Sequence, residues 1–146
     1  MLSVFRPKIQ SREVKIERLF RHNEQINAFS TELSQVFGNL IGNALDAMSP
    51  GGTLHLRTMD SSSGVRITIA DNGCGIPGQD LGKIFEPFFT ANKETGTGLG
   101  LWLAREIIHK HGGMIRVKSS THTRRHGTVF MIWLQLNVPV PQELIR

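Results

Sequence analysis

Hydrophobic and polar positions along the 146-residue chain repeat with two different periods. Between residues 32 and 48, Val36, Phe37, Leu40, Ala44 and Ala47 recur at helical spacing, and Ser49-Pro50-Gly51-Gly52 ends the run. A helix reaching about Met48 is predicted, with Ser30 or Thr31 as its N-cap. Leu54 and Leu56 alternate with His55 and Arg57, and Val65, Ile67 and Ile69 alternate with Arg66, Thr68 and Ala70. This period of two, interrupted by a turn at residues 60–64, predicts an antiparallel hairpin with one buried face. Residues 14–21 read as an edge strand with Val14, Ile16 and Phe20 on one side. A short helix is expected to start near Pro77, and a longer one to cover residues 99–111, closed by Gly112-Gly113. Residues 114–119 and 128–136 read as a second strand pair across a basic loop. Helices interleaved with hairpins predict an α+β fold: a two-layer sandwich whose mainly antiparallel, mixed sheet carries its helices on one face. Residues 1–12 are expected to be a tail or linker, 13–137 the folded domain, and 138–146, with Pro139 and Pro141, a second tail.

Composition sets the class. Hydrophobic residues make up 39% and charged residues 20%, as in a globular domain. No run approaches the roughly 18 apolar residues of a membrane span, and the first residues lack the apolar stretch of a signal peptide. A single cysteine, Cys74, makes no internal disulfide, which suits a reducing cytoplasm; it reads as a small packed side chain. The net charge of +5 is concentrated partly at residues 119–127, with Arg124 and Arg125. A nucleic-acid site would call for interleaved aromatics or a helix-turn-helix pattern. Neither is present, so no nucleic-acid partner is expected and the stretch reads as a solvated turn.

The first helix carries more than a core face. At about 100° per residue, Glu32, Gln35, Asn39, Asn43 and Asp46 fall within an arc of roughly 80° beside the apolar stripe. Gly38 and Gly42 flank that arc, where an ordinary exposed face would favour Ala, Lys or Glu. An amide oxygen is a neutral, hard ligand, fit for a Mg²⁺ whose remaining ligands are phosphates and waters.

Two glycine boxes follow. Gly73, Gly75 and Gly78 match the spacing of a dinucleotide fingerprint, but that motif needs a βαβ unit with a second parallel strand. Residues 85–97 contain Pro87 and a polar run and offer no such strand, so the reading is rejected. Asp71 instead ends an apolar strand, where a carboxylate is costly unless hydrogen-bonded. An adenine amino group would donate to it; the carbonyl of guanine would be repelled. Gly73 and Gly75 let the backbone turn tightly and approach a flat base. The second box, Gly96-Thr97-Gly98-Leu99-Gly100, enters a helix, and backbone N–H groups at such a start form a phosphate site, with Lys93 adding a mobile charge. The spacing is not that of a P-loop. Pro87-Phe88-Phe89 reads equally as a lid anchor or as core.

In this order and spacing, the asparagine helix, residues 71–77, Lys83-Ile-Phe-Glu-Pro-Phe-Phe89, residues 96–101 and Gly127-Thr128-Val-Phe130 resemble the ATP-binding catalytic domain of bacterial sensor histidine kinases, in the GHKL (Bergerat-fold) ATPase superfamily. The resemblance covers about residues 12–136. It implies ATP and Mg²⁺ as cofactors, with Asn43 as the Mg²⁺ ligand and Asn39 as its catalytic neighbour. It implies Asp71 as the adenine reader, with Gly73, Gly75 and Ile76 in the same wall and Thr128 near the base. Lys93, Gly96, Thr97, Gly98, Leu99 and Gly100 would form the phosphate lid, and Asp46 would reach the nucleotide through water. Hydrolytic relatives place a general-base glutamate where this chain has Asn39, so the resemblance implies transfer of the γ-phosphoryl group to a protein histidine. None of the six histidines precedes Asp or Glu, as the family's acceptor does. The acceptor would therefore lie on a separate dimerisation domain, with a response regulator receiver domain next in line and this fragment monomeric. Two other readings use the same residues: an ATP-driven switch or hydrolase with Glu32 as base, and a degenerate module that docks partners without catalysis.

Overall fold

The computed structural model describes residues 1–22, 25–26, 28–91, 93–94 and 96–136. Five strands form one sheet in the order β1-β2-β3-β5-β4. They are β1 (Lys15–Phe20), β2 (Thr53–Ser61), β3 (Gly64–Asp71), β4 (Met114–His122) and β5 (Arg125–Gln135). The helices are α1 (Arg6–Ser11), α2 (Ser30–Ala47) and α3 (Gly100–Lys110). β1 runs parallel to β2 across α2, and every other pairing is antiparallel, which gives the mixed sheet expected of this pattern.

Because side chains alternate along a strand, one face of the sheet collects the apolar set. Leu54, Leu56, Val65, Ile69, Ile115, Phe130, Ile132 and Leu134 are buried there. α2 lays Leu33, Val36, Leu40, Ile41, Ala44 and Leu45 on this face, and α3 adds Ala104, Ile107 and Ile108. Burial of a side chain such as Leu40 or Ile108 contributes about 1.5–3 kcal/mol. α2 and α3 also pack on each other, so the two helices that flank the polar boxes are held by one core.

Several local expectations are corrected. Phe29, not Ser30 or Thr31, occupies the N-cap of α2, and no side chain caps the helix. The Phe29 N–H instead donates to His111 Nε2 (3.2 Å), whose Nδ1–H donates to the Ile107 carbonyl (2.8 Å). No helix starts at Pro77. Consecutive turns close through Asp80 N–H to Pro77 O, Lys83 N–H to Asp80 O and Glu86 N–H to Lys83 O. Gly78 and Gly82 lower the helical preference of this stretch. The turn at residues 60–64 tightens to Ser62-Ser63, because β2 and β3 stay paired as far as Ser61 and Gly64. The basic loop is mostly ladder: β4 and β5 remain paired to His122 and Arg125, leaving Thr123 and Arg124 at the tip.

Residues 1–12, expected to be a tail, form a 3-10 turn (Leu2–Phe5) followed by α1. Leu2, Phe5 and Ile9 pack against the core. Arg12 donates to the Leu45 carbonyl (2.9 Å) and the Met48 carbonyl (3.2 Å), which α2 leaves open at its end. The second expected tail, residues 138–146, lies outside the described residues.

Candidate functional site

Asp71 is the last residue of β3 and pairs in register with Thr128 of β5. Both are buried. The Gly73 N–H donates to Asp71 Oδ1 (2.8 Å), and the Thr128 backbone also bonds the carboxylate. Burial pushes the Asp71 carboxyl above its usual range, and these two backbone bonds draw it part of the way back. A carboxylate in this state gains from any further donor brought to it.

Behind this pair lies Ser119, on the inward side of β4. The Ile76 N–H donates to Ser119 Oγ (2.8 Å), while Ser119 Oγ also meets the Gly127 carbonyl (2.8 Å) and Thr128 Oγ1 (2.8 Å). A hydroxyl has one proton. The Gly127 carbonyl can only accept, so Ser119 gives its proton there, and the Thr128 hydroxyl donates to Ser119. The lone pairs of Thr128 Oγ1 are left for an incoming donor. Ser119 was not among the residues singled out from sequence. The available signal was a polar residue continuing the inward series of Ile115 and Val117.

Gly73 and Gly75 of the first box are required by the protein's own backbone, whereas Gly78 faces open space. A Cβ on Gly73 would sit 2.6 Å from the Ala47 carbonyl oxygen, at the end of α2. Gly75 has φ +78°, and its Cβ would lie 2.0 Å from the Ser120 carbonyl oxygen. His126 Nδ1–H donates to the Gly73 carbonyl (2.6 Å), pinning the box to the β4–β5 hairpin. Ile76 is half-buried against the core. Cys74, expected to be packed, is exposed instead, in an open groove of about 540 Å³ between the Pro50-Gly51 turn and Thr123.

α2 spans the two boxes. Near its middle, half-buried Asn39 donates through Nδ2 to the Gly100 carbonyl (3.0 Å) at the start of α3. At its end, the Ala47 carbonyl accepts from the Cys74 N–H (3.0 Å). Asn43 lies midway and is exposed. No side chain caps α3, so its first N–H groups remain available to an anion. Leu99 precedes it, its N–H donating to Thr97 Oγ1 (3.3 Å). Gly98 has φ +72° and packs its α-carbon against Phe88, whose N–H donates to the Gly98 carbonyl (2.9 Å). The aromatic knot therefore divides: Phe89 packs on the core, while Phe88, with φ +67°, is 75% exposed. Lys93 and Gly96 are exposed.

Two acidic groups of the α2 stripe are engaged elsewhere. Asp46 is exposed and forms an ion pair with Lys8 of α1. Glu32 pairs with Lys110 of α3 (2.6 Å), about 10 Å along the helix from Asn39.

Residues 29–138 match the family described as histidine kinase-, DNA gyrase B- and HSP90-like ATPases. The sensor histidine kinase ZraS of Escherichia coli K12 is 37% identical over 131 residues, 88% of this chain and 27% of that protein. Sporulation kinase A of Bacillus subtilis 168 is 45% identical over 107 residues, 73% of this chain and 17% of that protein. This chain thus spans about a quarter or less of the curated relatives it matches. The catalytic domain of histidine kinase ThkA in a nucleotide-free form superposes with a TM-score of 0.81 at 31% identity, covering 92% of this chain and 88% of that one. ThkA is also known in complex with the response regulator protein TrrA; that structure covers 93% of this chain and 38% of its own, at 28% identity and a TM-score of 0.77. The fold, the order of the boxes and these likenesses place the chain in the histidine kinase-, DNA gyrase B- and HSP90-like ATPase family, as a catalytic domain of the sensor histidine kinase kind.

Proposed function

We propose that this domain binds ATP with Mg²⁺ and delivers the γ-phosphoryl group to a histidine on a separate dimerisation domain, from which a response regulator receiver domain takes it. The observation that carries the reading is at Asn39. A carboxamide, not a carboxylate, faces the entry of α3, and its N–H₂ is committed to the Gly100 carbonyl. The nearest acid toward the start of α2 is Glu32, held by Lys110. Nothing at this position draws a proton from water, so bound ATP is kept for a protein acceptor. In the alternative reading Glu32 is the hydrolytic base; it lies about 10 Å along the helix from Asn39, and steady ATP turnover lost on Glu32→Ala would favour that reading instead.

The remaining residues fit the ligand. Asp71 and Thr128 offer acceptors to an exocyclic amine of adenine. The uncapped start of α3, with the Gly96–Gly100 loop and Lys93, suits phosphates. Asn43, with Asn39 beside it, would hold Mg²⁺ through neutral oxygen, which leaves the phosphates as its charged ligands. The ion, when bound, neutralises charge on the triphosphate; phosphoryl transfer otherwise depends on positioning. Asp46, paired with Lys8, would take part only through water. No helix among the described residues is long and apolar enough to cross a membrane. A cytoplasmic setting, where ATP is supplied, and a monomeric fragment belong to the same proposal, and the TrrA complex of ThkA supports a receiver domain as the downstream partner.

The test is transfer of label from γ-labelled ATP to a supplied dimerisation domain. Label on its histidine is expected, with Asn43→Ala lowering the rate by about 100-fold while circular dichroism stays unchanged. Tight ATP binding without transfer would overturn the proposal, and equal affinity for ATP and GTP would remove the role given to Asp71.

A further inference from the structure

The face of the sheet turned away from the helices is unusual in its charge. The strand register places Met59, Arg66, Trp133 and Met114 in one cross-strand row, and Arg57, Thr68, Met131 and Arg116 in the next. These positions alternate with the core residues, so they lie on the opposite face. Met59, Met131, Trp133 and Met114 belong neither to the core nor to the side chains packed on it. Arg57, Arg116 and the neighbouring Lys118 are exposed, and Met114 is 43% exposed. The only acid at an outward position of the five strands is Glu17, on edge strand β1, where Lys15 and His55 hold it.

The arginines are laid over the apolar groups. Arg116 stands over the Trp133 ring (5.9 Å to its centre), and Arg66 Nη2 meets Met59 Sδ at 3.4 Å. Guanidinium planes held this way are partly ordered before any ligand arrives, which lowers the entropy lost on pairing with carboxylates. Arg, Trp and Met are the side chains that protein interfaces favour, while Lys and Glu are depleted there. Two copies of the face would set arginine against arginine. A nucleic-acid strand would want several stacking rings, and this face has one. A membrane would want a broad set of protruding apolar groups, whereas here guanidinium groups lie against Trp133 and Met59.

We propose that the helix-free face of the sheet, centred on Arg66, Arg116, Met131 and Trp133, is a docking surface for an acidic protein surface that carries apolar side chains among its carboxylates. The sheet is roughly 20 Å across, the size of a transient contact. The association is salt-sensitive, since charge complementarity drives it.

The experiment follows backbone amide resonances of the full chain during titration. The probes are a synthetic peptide alternating Asp and Glu with Leu and Phe, its lysine counterpart, phosphatidylglycerol vesicles and single-stranded DNA. Shifts confined to the outward positions of β2, β3, β4 and β5 are expected with the acidic peptide, fading as salt is raised. Arg66→Glu with Arg116→Glu should weaken binding by about tenfold or more. Trp133→Ala should weaken it without reversing charge, and an unchanged ATP-induced rise in Tm shows that each variant is folded. Absence of shifts, shifts on the helix side, equal binding of the lysine peptide, tighter binding of vesicles or DNA, or self-association through this face would each overturn the proposal.

Discussion

Asp71 ends an apolar strand with backbone N–H groups of Gly73 and Thr128 as its partners, and its pKa lies above the ordinary 3.8. The folded state thus holds that proton more tightly than the unfolded chain does. Stability of the nucleotide-free domain should fall as pH rises from 3.8 through the higher folded value, with the full penalty present above it. Asp71→Asn should remove this slope and raise the urea midpoint at neutral pH, while weakening ATP binding. Denaturation across pH, with and without ATP, checks both halves. Ser119→Ala should leave the Ile76 N–H without its acceptor and cost about 1–3 kcal/mol in urea unfolding. It should also lower ATP affinity, because the Thr128 hydroxyl loses its fixed direction. At this scale the two residues were unequally legible. Asp71 breaks an apolar alternation inside a recognisable box. Ser119 breaks one as well, but its three partners come from separate segments of chain and only folding brings them together. The glycines were legible as turns, yet their necessity is a backbone contact that no local pattern contains.

Among the elements, α2 was the most legible, since its period, its terminator and its polar stripe all agree. The β2–β3 hairpin was equally plain. The β4–β5 hairpin extends further than its apolar period because ladder hydrogen bonds continue through Thr121, His122, Arg125 and His126 without an apolar face to announce them. The N-cap of α2 was misplaced because its entry is fixed by His111, a residue of another element. The loop before α3 invites a direct trial. A Cβ at Gly98 would lie 2.4 Å from the Phe88 carbonyl carbon, and the site has positive φ. Gly98→Ala should therefore cost about 1–3 kcal/mol or displace the loop. If the loop serves phosphates, affinity for ATP should fall more than affinity for adenosine, as calorimetry would show; equal losses would place its role elsewhere.

For the molecule as a whole, the two-layer plan, the helix-bearing face and the mainly antiparallel pairing followed from periodicity. The direction of β1 was not legible, because an edge strand reads alike in either orientation. The amino-terminal segment was missed because short runs such as Leu2–Phe5 carry too few residues to show a period. Its importance is testable. Arg12→Ala should lower stability by about 1–3 kcal/mol in chemical denaturation, since Arg12 makes charge-assisted bonds to two carbonyls of the α2 terminus.

The same guanidinium has a mechanical consequence. Arg12 grips the carboxyl end of α2, whose Ala47 carbonyl holds the Cys74 N–H, and Gly73 next door holds Asp71. A short run of hydrogen bonds and peptide links thus joins the end of α1 to the Asp71 carboxylate. Loss of the Arg12 grip is therefore expected to loosen the setting of Asp71 as well as the end of α2.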